Sequence, residues 1–453
     1  MTSAAPPPSR LPRGLDVGNA LFTDHYELTM VEAALRSGAA SRRCVFEVFA
    51  RRLPSWRRYG VVAGTGRLVD ELASFRFGDA ELKTLEHILD APTLRWLAGY
   101  RFTGDVWGYG EGETYFPGSP VLVVEGTFAE AVVLETLVLS ILNHDSAVAA
   151  AASRMTTAAG ERPCLEMGTR RTHEEAAVAA ARAAYVAGFV ATSNLAAGAR
   201  YGIPTIGTAA HAFTLLHDDE RAAFTAQVEA LGPGTTLLVD TYDVTEGVRT
   251  AVEVAGTGLG AVRLDSGDLL EQAHAVRAQL DELGATDTRI VVTSDLDEYA
   301  IAALAAAPVD SYGVGTSLVT GSGAPTAGMV YKLVAREDAA GDLVGVAKRS
   351  IDKLSVGGRK QALRRRDAGG TAVEEVVAIG PAGARSFPPT PTAGDGSDRR
   401  LLRQLVARGE TVGAETLDEA RARHVMSIAE LPAAARQLSR GEPVIPTRYE
   451  PAA

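Results

Sequence analysis

TTLLVD at 235–240, GAVRLD at 260–265 and RIVVTSD at 289–295 are short apolar runs, each closing on an acidic residue. Helix-like stretches separate them. Runs of this length, spaced by one crossover helix, are the mark of parallel strands in an α/β fold. Working outward, the pattern continues upstream in PCLEMG (163–168), AGFVATS (187–193) and PTIGTAA (204–210). Downstream it continues in VDSYGVG (309–315) and MVYKLVA (329–335). About eight such units predict a closed or nearly closed, irregular TIM-like α/β barrel rather than an open sheet.

The chain on either side reads differently. CVFEVFA (44–50) and VLVVEGTF (121–128) are strand-like, with helical stretches between them and a long helical region over 129–158. Beyond 337 come a basic run, KQALRRRD (360–367), and a Gly- and Pro-rich loop over 380–400. Thr416-x-x-Glu419 and Ser427-x-x-Glu430 then look like capping boxes. The expected organisation is a disordered tail over 1–14, an N-terminal α/β sandwich domain over 15–140 and the barrel over 141–335. A C-terminal segment over 336–453 packs back on the N-terminal domain, which makes the sandwich discontinuous.

Composition narrows the function. Lys and Arg number 45 against 56 Asp and Glu, a net charge of −11. That balance argues against general binding of nucleic acid or anionic membrane. Cys44 and Cys164 are too few for a disulfide framework, and two buried thiols in a reducing, cytoplasmic compartment are expected.

In a parallel barrel the chemistry sits where the strands end. Seven successive run ends carry polar residues or glycine: Thr169 to Arg171, Ser193 and Asn194, His211, Asp240 with Tyr242 and Asp243, Asp265 to Asp268, Ser294 and Asp295, and Gly313 to Thr316. The set suits a phosphorylated sugar. Arg170 and Arg263 offer paired N–H donors to a phosphate or carboxylate. Gly313, Gly315 and Thr316 let a phosphate approach the backbone, as at a helix N-terminus. Asp265 suits Mg²⁺ or ribose hydroxyls, while Asp268 or Ser266 would cap a helix. An acid such as Asp240 beside His211 would orient the ring and keep one nitrogen nucleophilic.

In their order, LFTDHYELTM (21–30), FEVFARRLP (46–54), EMGTRR (166–171), ATSNLAAG (191–198), YGIPTIGTAAHAF (201–213), VDTYD (239–243), RLDSGDL (263–269), SDLDE (294–298) and YGVGTSLVT (312–320) resemble the nicotinate phosphoribosyltransferase family. The resemblance implies nicotinate, phosphoribosyl pyrophosphate and ATP as substrates, with Mg²⁺, in NAD synthesis. It implies a homodimer with active sites at the subunit interface, where Tyr26 stacks on the neighbour's pyridine ring. His211 matches the histidine phosphorylated by ATP, and Asp240 the acid beside it. Arg263 would contact the nicotinate carboxylate or the ribose phosphate, with Arg170 near the base. Asp265 and Asp295 would hold the ribose hydroxyls, directly or through Mg²⁺, and Gly313, Gly315 and Thr316 the 5′-phosphate.

One position departs from the family: Met167 stands where a Phe often packs under the ring, and a thioether also packs on aromatic faces. Ser193 stands where nicotinamide-using relatives carry Asp, which favours the anionic acid over the amide. Arg349, Lys353, Arg359 and Lys360 resemble a family segment near the phosphates, although a charge run is also what a solvated surface shows. The rival readings are a nicotinamide phosphoribosyltransferase and a sugar-phosphate lyase or aldolase barrel. The latter needs a Schiff-base lysine or a metal cluster, and the runs contain only Lys332.

Overall fold

Six of the eight apolar runs become the six strands of one parallel sheet. The computed structural model describes residues 18–348, 356–380 and 398–451. The expected N-terminal tail, Arg349, Lys353 and most of the 380–400 loop lie outside the described residues. In spatial order the sheet is Ala191–Thr192, Cys164–Glu166, Ser311–Val314, Arg289–Ser294, Ala261–Leu264 and Thr236–Leu238. Every neighbouring pair is parallel. Helices such as Glu174–Val186, Val244–Ala255 and Leu269–Glu282 make the crossovers.

Two runs do otherwise. PTIGTAA makes only an isolated bridge, Thr192 with Thr205. Pro204 has no N–H to extend a ladder. The chain then leaves the sheet, and Thr208 and Ala209 accept hydrogen bonds from Arg263. MVYKLVA belongs to another sheet, where Met329–Glu337 pairs antiparallel with Arg43–Ala50. The parallel sheet is therefore a curled half-barrel. Its two edges approach through side chains, because His211, beyond the bridge, meets Thr241, beyond the strand at the opposite edge, at 3.1 Å.

The second sheet has seven antiparallel strands, with Arg43–Ala50 and Leu122–Thr127 near its centre. Cys44 to Ala50 are buried without alternation, as expected of a strand covered on both faces. Phe46 stacks on Tyr331 with ring centroids 4.8 Å apart. Arg403–Ala407, from the C-terminal segment, pairs with Asp105–Gly108. Helix Glu135–Ala159 joins the two bodies. Leu137, Val138, Ile141 and Leu142 enter the core of the antiparallel sheet, whereas Val148, Ala149, Ala152 and Met155 enter that of the half-barrel. Small residues in its second half let it lie close to the equally Ala-rich helix Glu174–Val186. The span Phe128–Ala159 is apolar and long enough to cross a bilayer, but 67% of its most apolar window is buried inside the protein. It is a core helix.

The basic run is not a solvated face. Lys360–Arg366 is a strand whose Lys360 and Arg364 are fully buried. Lys360 pairs with Glu47 at 2.7 Å and Arg359 pairs with Glu125. These partners lie on the antiparallel sheet, so neither cation is placed at the mouth of the half-barrel. Of the two capping-box patterns, Thr416 with Glu419 forms one. Ser427 instead lies inside helix Leu417–Ala429, where its hydroxyl accepts from Thr114 N–H at 2.9 Å and donates to Glu113.

Arg364 ties this C-terminal strand to the N-terminal part. It pairs with Glu375 at 2.5 Å and donates to the Thr114 hydroxyl at 2.7 Å and carbonyl at 2.8 Å. Arg364→Ala strands Glu375 as an unpaired buried charge. The expected loss is about 3–5 kcal/mol of folding stability, read from urea unfolding. An unchanged midpoint would mean that the buried pair contributes nothing.

Candidate active site

The parallel register aligns the strand ends on one rim. Gly313 stands opposite Thr293, and Val314 opposite both Ser294 and Glu166. Glu166 in turn stands opposite Thr192, and Leu238 opposite Arg263. The residues that follow therefore leave the sheet side by side: Met167, Ser193, Asp240, Asp265, Asp295 and Gly315. A cleft at this rim is lined by Met167, Arg170, Arg171, Arg263, Asp265, Thr293, Ser294, Asp295, Gly313, Gly315 and Thr316.

Arg263 organises the centre. Its Nε donates to Thr293 Oγ1 at 2.9 Å, and its Nη2 meets Asp265 Oδ1 at 2.8 Å. Its Nη1 reaches Thr208 Oγ1 and Ala209 O, both at 3.3 Å. Asp265 is thus not a free acid, since Thr293 donates to the same oxygen that Arg263 holds. Burial pushes its carboxyl up, but the Thr293 hydroxyl and the Arg263 guanidinium outweigh this and hold it below the usual range. Oδ2 is left to face the histidine. Asp268, as the alternative reading had it, caps helix Leu269–Glu282.

His211 begins helix His211–Leu216, and its side chain is 40% exposed. Nδ1 meets Thr241 Oγ1 at 3.1 Å. Nε2 lies 3.9 Å from Asp240 Oδ1 and 3.9 Å from Asp265 Oδ2. Asp240 is 2% exposed at its side chain. Its Oδ2 accepts from the Asp265 N–H and the Ser266 hydroxyl, both at 2.8 Å. Its Oδ1 is buried with no hydrogen-bond partner. The turn at 265–266 therefore fixes Asp240 and aims one unsatisfied oxygen at the imidazole.

The glycines have a packing reason. A Cβ at Gly313 would lie 2.5 Å from Thr293 Cγ2 and 2.7 Å from Met167 Sδ, so the Met167 side chain runs over this bare backbone. Gly315 precedes the short helix Thr316–Val319. Arg170, Asp295 and Thr316 are exposed on the rim. Ser193 is half-buried, its hydroxyl 3.4 Å from that of Thr169.

Tyr26 stands apart from this cluster. It is 47% exposed on helix His25–Ser37, so it is not a core tyrosine. Burial and the neighbouring Glu135 raise its phenol above the ordinary range.

Sequence reasoning overlooked Thr293, Thr241 and Thr208, the hydroxyls that hold Arg263, Asp265 and His211. Only Thr293 carried a signal, as a Thr among the β-branched apolar residues of RIVVTS, facing the same way as Asp295 by the period of two.

The comparisons bear on this geometry. Residues 21–143 match the family model described as the nicotinate phosphoribosyltransferase (NAPRTase) N-terminal domain. A nicotinate phosphoribosyltransferase of Mycobacterium tuberculosis (strain CDC 1551 / Oshkosh) is 60% identical over 459 residues, covering 99% of this chain and 100% of that one. One of Bacillus subtilis (strain 168) is 40% identical over 76% of this chain and 73% of its own. The crystal structure of human nicotinic acid phosphoribosyltransferase superposes with a TM-score of 0.78 at 28% identity, over 94% of this chain and 97% of that one. With full-length identity at this level, the chain belongs to the nicotinate phosphoribosyltransferase family.

Proposed function

We propose that the protein joins nicotinate to phosphoribosyl pyrophosphate, releasing pyrophosphate and forming nicotinate mononucleotide, and that ATP drives the reaction through phosphorylation of His211. The observation that carries this reading is the convergence of His211, Asp240, Arg263 and Asp265 beside the Gly313–Thr316 backbone at one rim. In transfer, the pyridine nitrogen bonds to C1 of the sugar as the bond from C1 to the pyrophosphate oxygen breaks. Positive charge grows on the sugar and negative charge on the leaving group. Positioning and fixed charges are the main demands. The 5′-phosphate rests at Gly313, Gly315 and Thr316. Asp295 and Asp265 take the ribose hydroxyls. Arg170 lies toward the base, and Met167 packs beneath it.

Two carboxylates stand 3.9 Å from His211 Nε2, which supports the tautomer protonated there. The lone pair is then on Nδ1, where the Thr241 hydroxyl covers it until it turns away. Nδ1 is the atom that takes the γ-phosphoryl group of ATP, with ADP leaving.

Mg²⁺ is bound sparingly by proteins, through one or two carboxylates and substrate phosphates. Asp265, with Oδ2 uncommitted to Arg263, and Asp295 on the rim fit that pattern. When bound, the ion neutralises charge on the pyrophosphate. The same reading includes an irregular barrel beside a discontinuous sandwich, a cytoplasmic enzyme of NAD synthesis, and a homodimer in which Tyr26 reaches the partner's ring site. Its half-exposed position supports the last point. No lysine occurs between Lys83 and Lys332, and Lys332 lies on the antiparallel sheet, so the parallel strands and the loops between them offer no amine for imine chemistry.

The test combines purified protein, phosphoribosyl pyrophosphate and Mg²⁺ with nicotinate or nicotinamide, with and without ATP, and identifies products by mass. Nicotinate mononucleotide formed faster with ATP is the expected result; turnover of nicotinamide alone would refute it. Ser193→Asp places a like charge beside the nicotinate carboxylate. It should lower kcat/KM for nicotinate by roughly 100-fold while sparing nicotinamide. Equal effects on both would show that Ser193 does not face the carboxylate.

A further inference from the structure

Glu166 has no role in the chemistry above, yet it is a buried carboxylate one residue from the ring site. It ends strand Cys164–Glu166 and is 1% exposed. Among the described residues no cation is paired with it. Such a charge is costly unless hydrogen bonds replace its water. Both oxygens are used. Oε1 accepts the Gly168 N–H, and Oε2 accepts the Thr192 hydroxyl. The Thr192 oxygen in turn accepts the Asn194 N–H at 2.9 Å. The Glu166 carbonyl accepts the Ser193 N–H at 2.8 Å.

Each oxygen therefore holds a different rim loop. One holds the turn from Gly168 to Arg171; the other holds Thr192 to Asn194, which carries Ser193. Gly168 is itself wedged, because a Cβ there would lie 2.3 Å from Val319 Cγ1. The first turn thus packs directly on Val319 and the Gly315 backbone, and Glu166 sets the second loop against it.

We propose that Glu166 is a positioning residue that fixes the spacing between the Arg170 turn and the Ser193 loop, and through it the recognition of the nicotinate carboxylate. This rests on the assignment of Arg170 and Ser193 to base recognition. Of the residues proposed for the sugar and its phosphates, Asp265 and Asp295 follow other strands, and Gly313 and Val314 lie on the neighbouring strand, with Val314 opposite Glu166; neither carboxylate oxygen of Glu166 bonds to any of them. The bonds of the carboxylate itself therefore reach the two loops assigned to the base and none of the groups assigned to the sugar.

The experiment measures steady-state kinetics of the full chain for wild type, Glu166→Ala, Glu166→Gln and Thr192→Val, varying nicotinate and phosphoribosyl pyrophosphate separately. A buried donor or acceptor left unpaired corresponds to roughly a 5- to 150-fold effect. Glu166→Ala should raise KM for nicotinate by about 30-fold and leave that for phosphoribosyl pyrophosphate within about threefold. Thr192→Val, which removes the second tie together with the acceptor for the Asn194 N–H, should give about tenfold on nicotinate alone. Glu166→Gln keeps an acceptor for Gly168 and should restore most of the loss. If Glu166→Ala does not fold, the Gln and Val variants decide the matter. Equal changes in both KM values, or a wild-type KM for nicotinate in Thr192→Val, overturn the clamp. Absence of nicotinate transfer by wild type defeats the functional reading, and the clamp falls with it. Transfer by wild type without the split defeats the clamp alone.

Discussion

Replacing His211 with Asn is expected to abolish the phosphoenzyme and all stimulation by ATP while leaving ATP-independent transfer in place. Nδ1 has the Thr241 hydroxyl as its hydrogen-bond partner, and the opposite nitrogen faces two carboxylates at 3.9 Å. Asn offers an amide to Thr241 but no nitrogen lone pair to phosphorylate. The groups proposed to hold the sugar do not depend on the imidazole. Arg263 and Asp265 hold each other, and Thr293 holds both. Transfer without ATP should therefore stay within about tenfold of the wild-type rate measured without ATP. Radiolabelled γ-phosphate on the protein and initial rates with and without ATP check both parts. Full ATP coupling in the variant would remove His211 from the mechanism.

The second large effect is expected at Arg263. Its guanidinium makes four contacts, to Thr293, Asp265, Thr208 and Ala209. They bring three segments to one point. Arg263→Ala should cost about 100- to 1,000-fold in kcat/KM, the range typical of losing a preorganised charge in a site. Arg263→Lys should not restore it, because a single ammonium cannot span those directions. A pH signature accompanies the loss. In wild type, Asp265 is held below the usual range, so its ionised form survives to lower pH. Without the cation, burial pushes its carboxyl up. The acid limb of the pH–rate profile should then move to higher pH, since activity is lost as pH falls through that value. An unshifted limb would mean that Asp265 does not titrate in catalysis.

How far this could be read from sequence depended on the kind of signal. Six strand runs were legible because a buried parallel strand is a short apolar run with a helix after it. The acids and glycines that follow them were legible for the same reason. What the pattern does not carry is the partner. MVYKLVA looks like any other run, but it pairs with residues some 280 positions upstream, in the antiparallel sheet. PTIGTAA has the apolar content of a strand, but Pro204 has no N–H to extend a ladder beyond the single bridge. The charge run also fits a solvated surface because what buries it is far off in sequence: Glu47 lies 313 residues from Lys360, and Thr114, which shares Arg364 with the nearby Glu375, lies 250 residues from Arg364. Ser427 satisfies the capping-box spacing, yet helical residues precede it, and spacing alone does not mark where a helix starts. The threonines of the site escaped notice because a hydroxyl matters only through the atom it meets.

A crystal structure with phosphoribosyl pyrophosphate, Mg²⁺ and nicotinate bound tests the central claim most directly. The account predicts the 5′-phosphate on the backbone of Gly313 to Thr316, the ribose against Asp265 and Asp295, and the ring over Met167 beside Ser193. Density for the sugar phosphate in another cleft, with the rim around Arg263 holding neither substrate, would contradict it.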